Sequence, residues 1–114
     1  MQRRFRLRHS ADFDLLRRHG RRQYHVLVVL IVRANGQQMS RFGISASRRV
    51  GKATSRNRAK RLLREVLRRR LEAIPGGWDC LFVARKGAAE ATFAELDAAV
   101  LQLLRRADVL EHAG

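Results

Sequence analysis

The stretch that decides the fold runs from Ser55 to Ile74: Ser-Arg-Asn-Arg-Ala-Lys-Arg-Leu-Leu-Arg-Glu-Val-Leu-Arg-Arg-Arg-Leu-Glu-Ala-Ile. Ala59, Leu62, Leu63, Val66, Leu67, Leu71 and Ile74 recur at intervals of three and four, which puts them on one stripe of an α-helix. Asn57, Lys60, Arg61, Arg64 and Arg68 project from the other side, about one per turn along roughly 17 Å of helix. One stripe suits a core, the other suits water or an anion. Pro75-Gly76-Gly77 stops the helix, because proline cannot continue the ladder.

Upstream, Ser10 to His19 reads as a short helix, with Ser10 as N-cap, Asp12 in the first turn and Gly20 as the stop. Phe13 and Leu16 share one face of it. The β-branched and aromatic run from Tyr24 to Val32 predicts a strand covered on both faces. Asn35-Gly36 supplies a turn, and Arg41 to Ser47 reads as a second strand antiparallel to the first. A basic loop, Arg48-Arg49-Val50-Gly51-Lys52, leads into the central helix, and its glycine can take a backbone conformation closed to other residues. Downstream, Trp78 to Ala84 is a third strand ending in Arg85-Lys86-Gly87. Thr92 to Leu110 is a closing helix opened by a Thr92/Glu95 capping box, with Phe93, Leu96, Val100, Leu103, Leu104 and Ala107 facing the core. The order α-β-β-α-β-α predicts an α/β (α+β) two-layer sandwich, a small mixed sheet packed by helices. Its 114 residues suit one domain, 1–114.

The charge is concentrated. Lys plus Arg number 25 against 10 Asp plus Glu, a formal net charge of +15. From Arg48 to Arg70 there are eleven basic residues and one acid, Glu65, whereas from Asp79 onward acids outnumber bases. A solvated helix face normally interleaves acids at i, i+4. This one lacks them, so the basic pole, Arg48, Arg49, Lys52, Arg56, Asn57, Arg58, Lys60, Arg61, Arg64 and Arg68, is expected to meet a polyanion.

Other chemistry is poorly supplied. Cys80 is the only cysteine, which excludes an internal disulfide, and the four histidines stand in no metal-ligand spacing. There is no phosphate loop of the Walker type, no dinucleotide fingerprint and no nucleophile elbow. We therefore expect no catalytic side chain and no metal ligand in this chain. No run approaches the roughly 18 apolar residues that span a bilayer, and the expected location is cytoplasmic, with no membrane partner.

The residues Arg56-Asn57-Arg58-Ala59-Lys60-Arg61-Leu62-Leu63-Arg64-Glu65, preceded by Gly43-Ile44-Ser45-Ala46-Ser47-Arg48-Arg49-Val50-Gly51, resemble the signature of the bacterial ribonuclease P protein component. The resemblance extends from about Arg4 to Leu110, through a Phe-containing helix ending in His-Gly (Asp12 to Gly20) and a strand ending in Ala-Arg-Lys (Val83 to Lys86). It implies a left-handed β-α-β crossover around the central helix. It also implies a ribonucleoprotein in which the RNA subunit, holding most of the Mg2+, hydrolyses the phosphodiester at the 5′ end of mature tRNA while the protein assists. By the same resemblance, Arg56, Asn57, Arg58, Lys60, Arg61 and Arg64 contact the catalytic RNA, and the cleft between the first helix and the sheet holds the 5′ leader of precursor tRNA. Phe13 matches a cleft aromatic, and its alternative is a place in the core. Arg17 stands where family members often carry a second cleft aromatic, and Arg85 and Lys86 are further leader candidates. No obligate protein partner is implied. The alternative is a ribosomal or general structured-RNA-binding protein, which would share the basic pole but show no leader dependence.

Overall fold

The structure, a computed structural model, describes residues 6–110. The chain forms α1 (Ser10–His19), β1 (Arg21–Tyr24), β2 (Val28–Ala34), β3 (Arg41–Ala46), α2 (Ala53–Arg70), β4 (Trp78–Ala84) and α3 (Phe93–Arg106). Single 3-10 turns lie at Arg48–Val50 and Leu71–Ala73. The four strands make one sheet in the order β1-β2-β4-β3. β4 pairs antiparallel with β2 and parallel with β3, so α2 is the crossover between two adjacent parallel strands.

Alternation along the strands sorts two cores onto opposite faces. Val28, Leu30 and Val32 of β2 and Cys80, Phe82 and Ala84 of β4 meet α2 and α3, whose Ala59, Leu63, Val66, Leu67, Leu96, Val100, Leu103 and Leu104 are buried against them. This is the expected sandwich. On the other face Ile31 and Leu81 pack with Leu16 of α1 and with Leu7. The shorter α1 thus adds a partial third layer. Cys80 is buried in the larger core, and burial pushes its thiol far above the ordinary cysteine range.

Two strand expectations are corrected. The run from Tyr24 to Val32 is not one strand but the end of β1, a tight turn and most of β2, which pair antiparallel. The turn carries no Gly or Pro. It is closed by the His25 amide donating to the Val28 carbonyl (2.9 Å) and the Leu27 amide donating to His25 Nδ1 (3.0 Å). Second, β3 is not the hairpin partner of β2, because β4 is inserted between them. The Asn35-Gly36 turn is real, but Asn35 is tied to β4: its amide donates to the Gly77 carbonyl (2.9 Å) and its Nδ2 to Asp79 Oδ1 (2.9 Å). β4, apolar on both faces, takes the sheet interior as a doubly covered strand should.

Helix ends shift by a few residues. His9, not Ser10, is the N-cap of α1, and no side chain caps it. α2 begins at Ala53 and ends at Arg70, with Ile74 still buried after the 3-10 turn. The Thr92/Glu95 capping box is present, and α3 stops at Arg106 rather than Leu110.

Arg41 clasps the α1 face of the sheet. Its Nε and Nη2 donate to both carboxylate oxygens of the buried Asp79 at 2.9 and 2.7 Å, and its Nη1 lies 3.3 Å from Asp12 of α1. Removing the guanidinium leaves the Asp79 charge buried without its cation, which costs far more than losing a surface pair. Arg41→Met is expected to lower unfolding free energy by about 3 kcal/mol, and Asp12→Asn by less than about 1 kcal/mol, both read from urea denaturation. An Arg41→Met midpoint equal to wild type would remove the clasp from this account.

Candidate nucleic-acid interface

α2 is held by its apolar stripe, and that fixes where its charges point. Among the described residues, no carboxylate pairs with Arg58, Lys60, Arg61 or Arg64, and Arg58, Arg61 and Arg64 are exposed together with Asn57. Lys60 is half-buried. Arg56 is also half-buried and turns its Nη1 back to the Gly51 carbonyl (3.1 Å), bracing the preceding loop. Gly51 sits at φ +133°, where a side chain would be strained, as expected for this loop. Arg48, Arg49 and Lys52 are exposed around it. α2 has no acid in its first turn and no side-chain cap, so its positive dipole end adds to the field of these cations.

The last turn of α2 behaves differently. Arg68 donates to Glu65, which lies 3.9 Å from Arg69, and the carboxyl of Glu65 is held below the usual carboxylate range chiefly by the Arg68 hydrogen bond. Arg69 also stacks its guanidinium on the Phe93 ring, 4.6 Å from the centroid. Arg70 makes a two-pronged bond to Asp97 of α3 at 2.6 and 2.8 Å, which lowers the Asp97 pKa. Of the polar residues expected on the outer flank of α2, Arg68 is therefore partly neutralised, whereas Asn57, Lys60, Arg61 and Arg64 have no carboxylate partner among the described residues.

Phe13 reaches the same region from α1. A cleft of about 120 Å³ is lined by Arg6, Leu7, Phe13, Phe42, Gly43 and Ile44, with Arg64 of α2 on its wall. The cleft lies along β3, where Leu7 bonds to the Phe42 carbonyl at 2.9 Å. A Cβ on Gly43 would come within 2.8 Å of Phe13 Cε1, so only glycine lets the ring lie this close to the strand. Phe13 is half-buried: one part of the ring packs on the sheet, and the rest borders the cleft. Phe13 thus both packs against the sheet-side core and lines the cleft.

Arg17 is exposed one turn after Phe13. Arg85 and Lys86 are exposed at the end of β4, and with Ser47, Arg49, Val83 and Ala84 they line a second opening of about 480 Å³. Sequence reasoning assigned Arg49 and the Arg85/Lys86 pair to different RNA elements, yet they border one opening because β3 and β4 end side by side. It missed Arg6 and Gly43 as cleft residues. A glycine inside a strand pattern was the available signal for Gly43.

Among the described residues no three His, Cys, Asp or Glu side chains gather as a metal cluster. Asp12 and Asp79 are engaged by Arg41, Glu65 by Arg68 and Asp97 by Arg70, so these carboxylates do not fit a protein-held Mg2+. No helix is long and apolar enough to cross a membrane among the described residues.

A profile described as Ribonuclease P matches residues 1–108. The chain is 36% identical over 104 residues to the "Ribonuclease P protein component" of Clostridioides difficile, covering 90% of this chain and 91% of that one. It is 39% identical over 112 residues to the protein of the same name from Roseiflexus sp., covering 97% and 92%. Among solved structures, the RNase P protein of Thermotoga maritima matches with a TM-score of 0.78 at 38% identity, covering 89% of this chain and 96% of that one. That of Staphylococcus aureus matches with a TM-score of 0.83 at 27% identity, covering 94% and 98%. Profile, relatives and fold agree over nearly the whole length, and the chain belongs to the ribonuclease P protein family.

Proposed function

We propose that this ribonuclease P protein acts by holding RNA and not by cutting it. The observation that carries the reading is the open segment of α2, where Asn57, Arg58, Lys60, Arg61 and Arg64 stand without carboxylate partners among the described residues, next to a cleft that contains Phe13. The open cations, with Arg48, Arg49, Lys52 and Arg56 beside them, neutralise phosphates of the catalytic RNA, and guanidinium groups do this bidentately. Arg64 stands where the two surfaces meet. The cleft takes the single-stranded 5′ leader of precursor tRNA, with Phe13 against a base and Arg17, Arg85 and Lys86 near the backbone. The RNA subunit performs the hydrolysis and holds the Mg2+; by lowering the repulsion between RNA strands the protein tightens binding of substrate and, through it, of the ions. The complex works in the cytoplasm.

Reconstitution tests the whole reading. The polypeptide alone is expected to leave precursor tRNA intact, and with the RNA subunit at low Mg2+ it is expected to restore cleavage; cleavage by the polypeptide alone would overturn the proposal. For the α2 face, Arg61→Ala with Arg64→Ala is expected to weaken RNA binding and to reduce the slope of log affinity against log salt by about two. Arg70→Ala, which breaks the Asp97 pair, is expected to lower stability while leaving that slope unchanged. The reverse pattern would move the interface to the other end of α2.

A further inference from the structure

β1 ends on Tyr24, which is 58% exposed and is the one exposed Phe, Tyr or Trp among the described residues. Val26, next in the turn, is 74% exposed. In the sheet register Tyr24 stands opposite Val29, Val29 opposite Val83, and Val83 opposite Ser45, so these four side chains form one row across all four strands. The neighbouring row is Arg22, Ile31, Leu81 and Gly43. α1 seats Leu16 and Phe13 on that neighbouring row and leaves the Tyr24 row half-buried or exposed.

The partly exposed row is bordered by cations. Arg85 Nη1 donates to the His25 carbonyl (3.2 Å), which pins that guanidinium at the hairpin turn beside Tyr24. From the opposite face, Arg106 of α3 donates its Nη1 to the Tyr24 carbonyl (3.0 Å), which fixes the end of β1. The segments that build this face, residues 17–29, 44–49 and 83–87, contain no carboxylate and expose Arg17, Arg18, Arg22, Arg49, Arg85 and Lys86, whereas Arg21 turns to the other face and donates to the Ala107 carbonyl (3.0 Å). An exposed aromatic ring on an apolar row, flanked by guanidinium groups and free of acids, has the chemistry of a single-strand RNA surface: bases stack on the ring and phosphates meet the cations.

We propose that Tyr24 is a second base-stacking platform, on which an unpaired RNA strand that enters over Phe13 ends after crossing Ser45, Val83 and Val29. The proposal rests on the reading that the Phe13 cleft holds the 5′ leader, and it adds a route and a far end to it. β3 and β1 lie three strand spacings apart, roughly 15 Å, so a strand of a few nucleotides joins the two rings. A leader too short to reach β1 does not sense Tyr24. The phosphates of a longer one pass Arg49, Lys86 and Arg85.

The test uses the ribonucleoprotein assembled from the full chain and the RNA subunit, with precursor tRNAs whose leaders are lengthened stepwise from a single nucleotide. Tyr24→Ala is expected to weaken binding of the long leaders about tenfold and to leave the shortest unchanged, while Tyr24→Phe binds all of them as wild type does. Phe13→Leu, which keeps an apolar contact on Gly43 but removes the ring, is expected to weaken binding from a shorter leader length onward. If Phe13→Leu weakens binding and Tyr24→Ala does not, the platform is overturned and the cleft stands; if neither does, both fall. A Tyr24→Ala loss that is equal at every leader length also overturns the platform. So does a variant that binds RNA normally but loses binding to phosphatidylserine vesicles, which would assign the surface to a membrane.

Discussion

The parallel pairing of β3 and β4 governs the rest of the molecule. Two adjacent parallel strands cannot be joined by a tight turn, so the chain has to travel back along the sheet before β4 can begin, and α2 is that return path. Its apolar stripe must lie on the sheet for the core to close, and its opposite flank is thereby turned outward. The direction in which Arg61 and Arg64 point is a consequence of packing, fixed before any RNA is present. The same pairing brings the ends of β3 and β4 side by side, which gathers Arg49, Arg85 and Lys86 from distant parts of the chain.

Charge is divided along α2 in a way that the helix itself would not choose. Cations near a helix C-terminus are favoured by the dipole and those near the N-terminus are disfavoured. Here the C-terminal arginines additionally receive Glu65, Asp97 and the Phe93 ring, so the favourable end is also the internally satisfied one. The unfavourable end is left open and has no acid in its first turn. That arrangement tolerates self-repulsion only because the stripe of Ala59, Leu63, Val66 and Leu67 is anchored in a core shared with α3 and the sheet. Stability is supplied on one side of the helix and spent as electrostatic potential on the other.

Much of this was legible in the residues. The 3.6-residue period of α2, the Thr92/Glu95 box and the apolar run of β4 each carry a local physical signature, and each was realised. The turn at His25 was not legible, because it is closed by an imidazole nitrogen and not by the glycine or proline that usually marks a reversal. The antiparallel pairing expected for β3 failed for a different reason: Asn35-Gly36 does mark a turn, but β4 enters between β2 and β3, and Asn35 and Arg41 both reach its Asp79, more than thirty residues away. Long-range polar partners leave no periodic trace. At the candidate site the basic flank was visible as a missing set of acids, whereas the capture of Arg68 and Arg70 by Glu65 and Asp97 needed the packed structure to be seen. Phe13 was ambiguous in the sequence because its ring serves both packing and the cleft.

One feature of the core has a practical side. The only thiol of the chain, at Cys80, is sealed between the sheet and the helices, and that burial pushes its pKa above the ordinary cysteine range. Native protein therefore offers no reactive sulfur to a maleimide or a spin label. A cysteine placed on the outer flank of α2 or on the β1–β2 turn would carry a fluorophore or nitroxide alone, without first stripping the natural residue from the interior. Distances to a labelled tRNA could then be measured on an otherwise unaltered polypeptide.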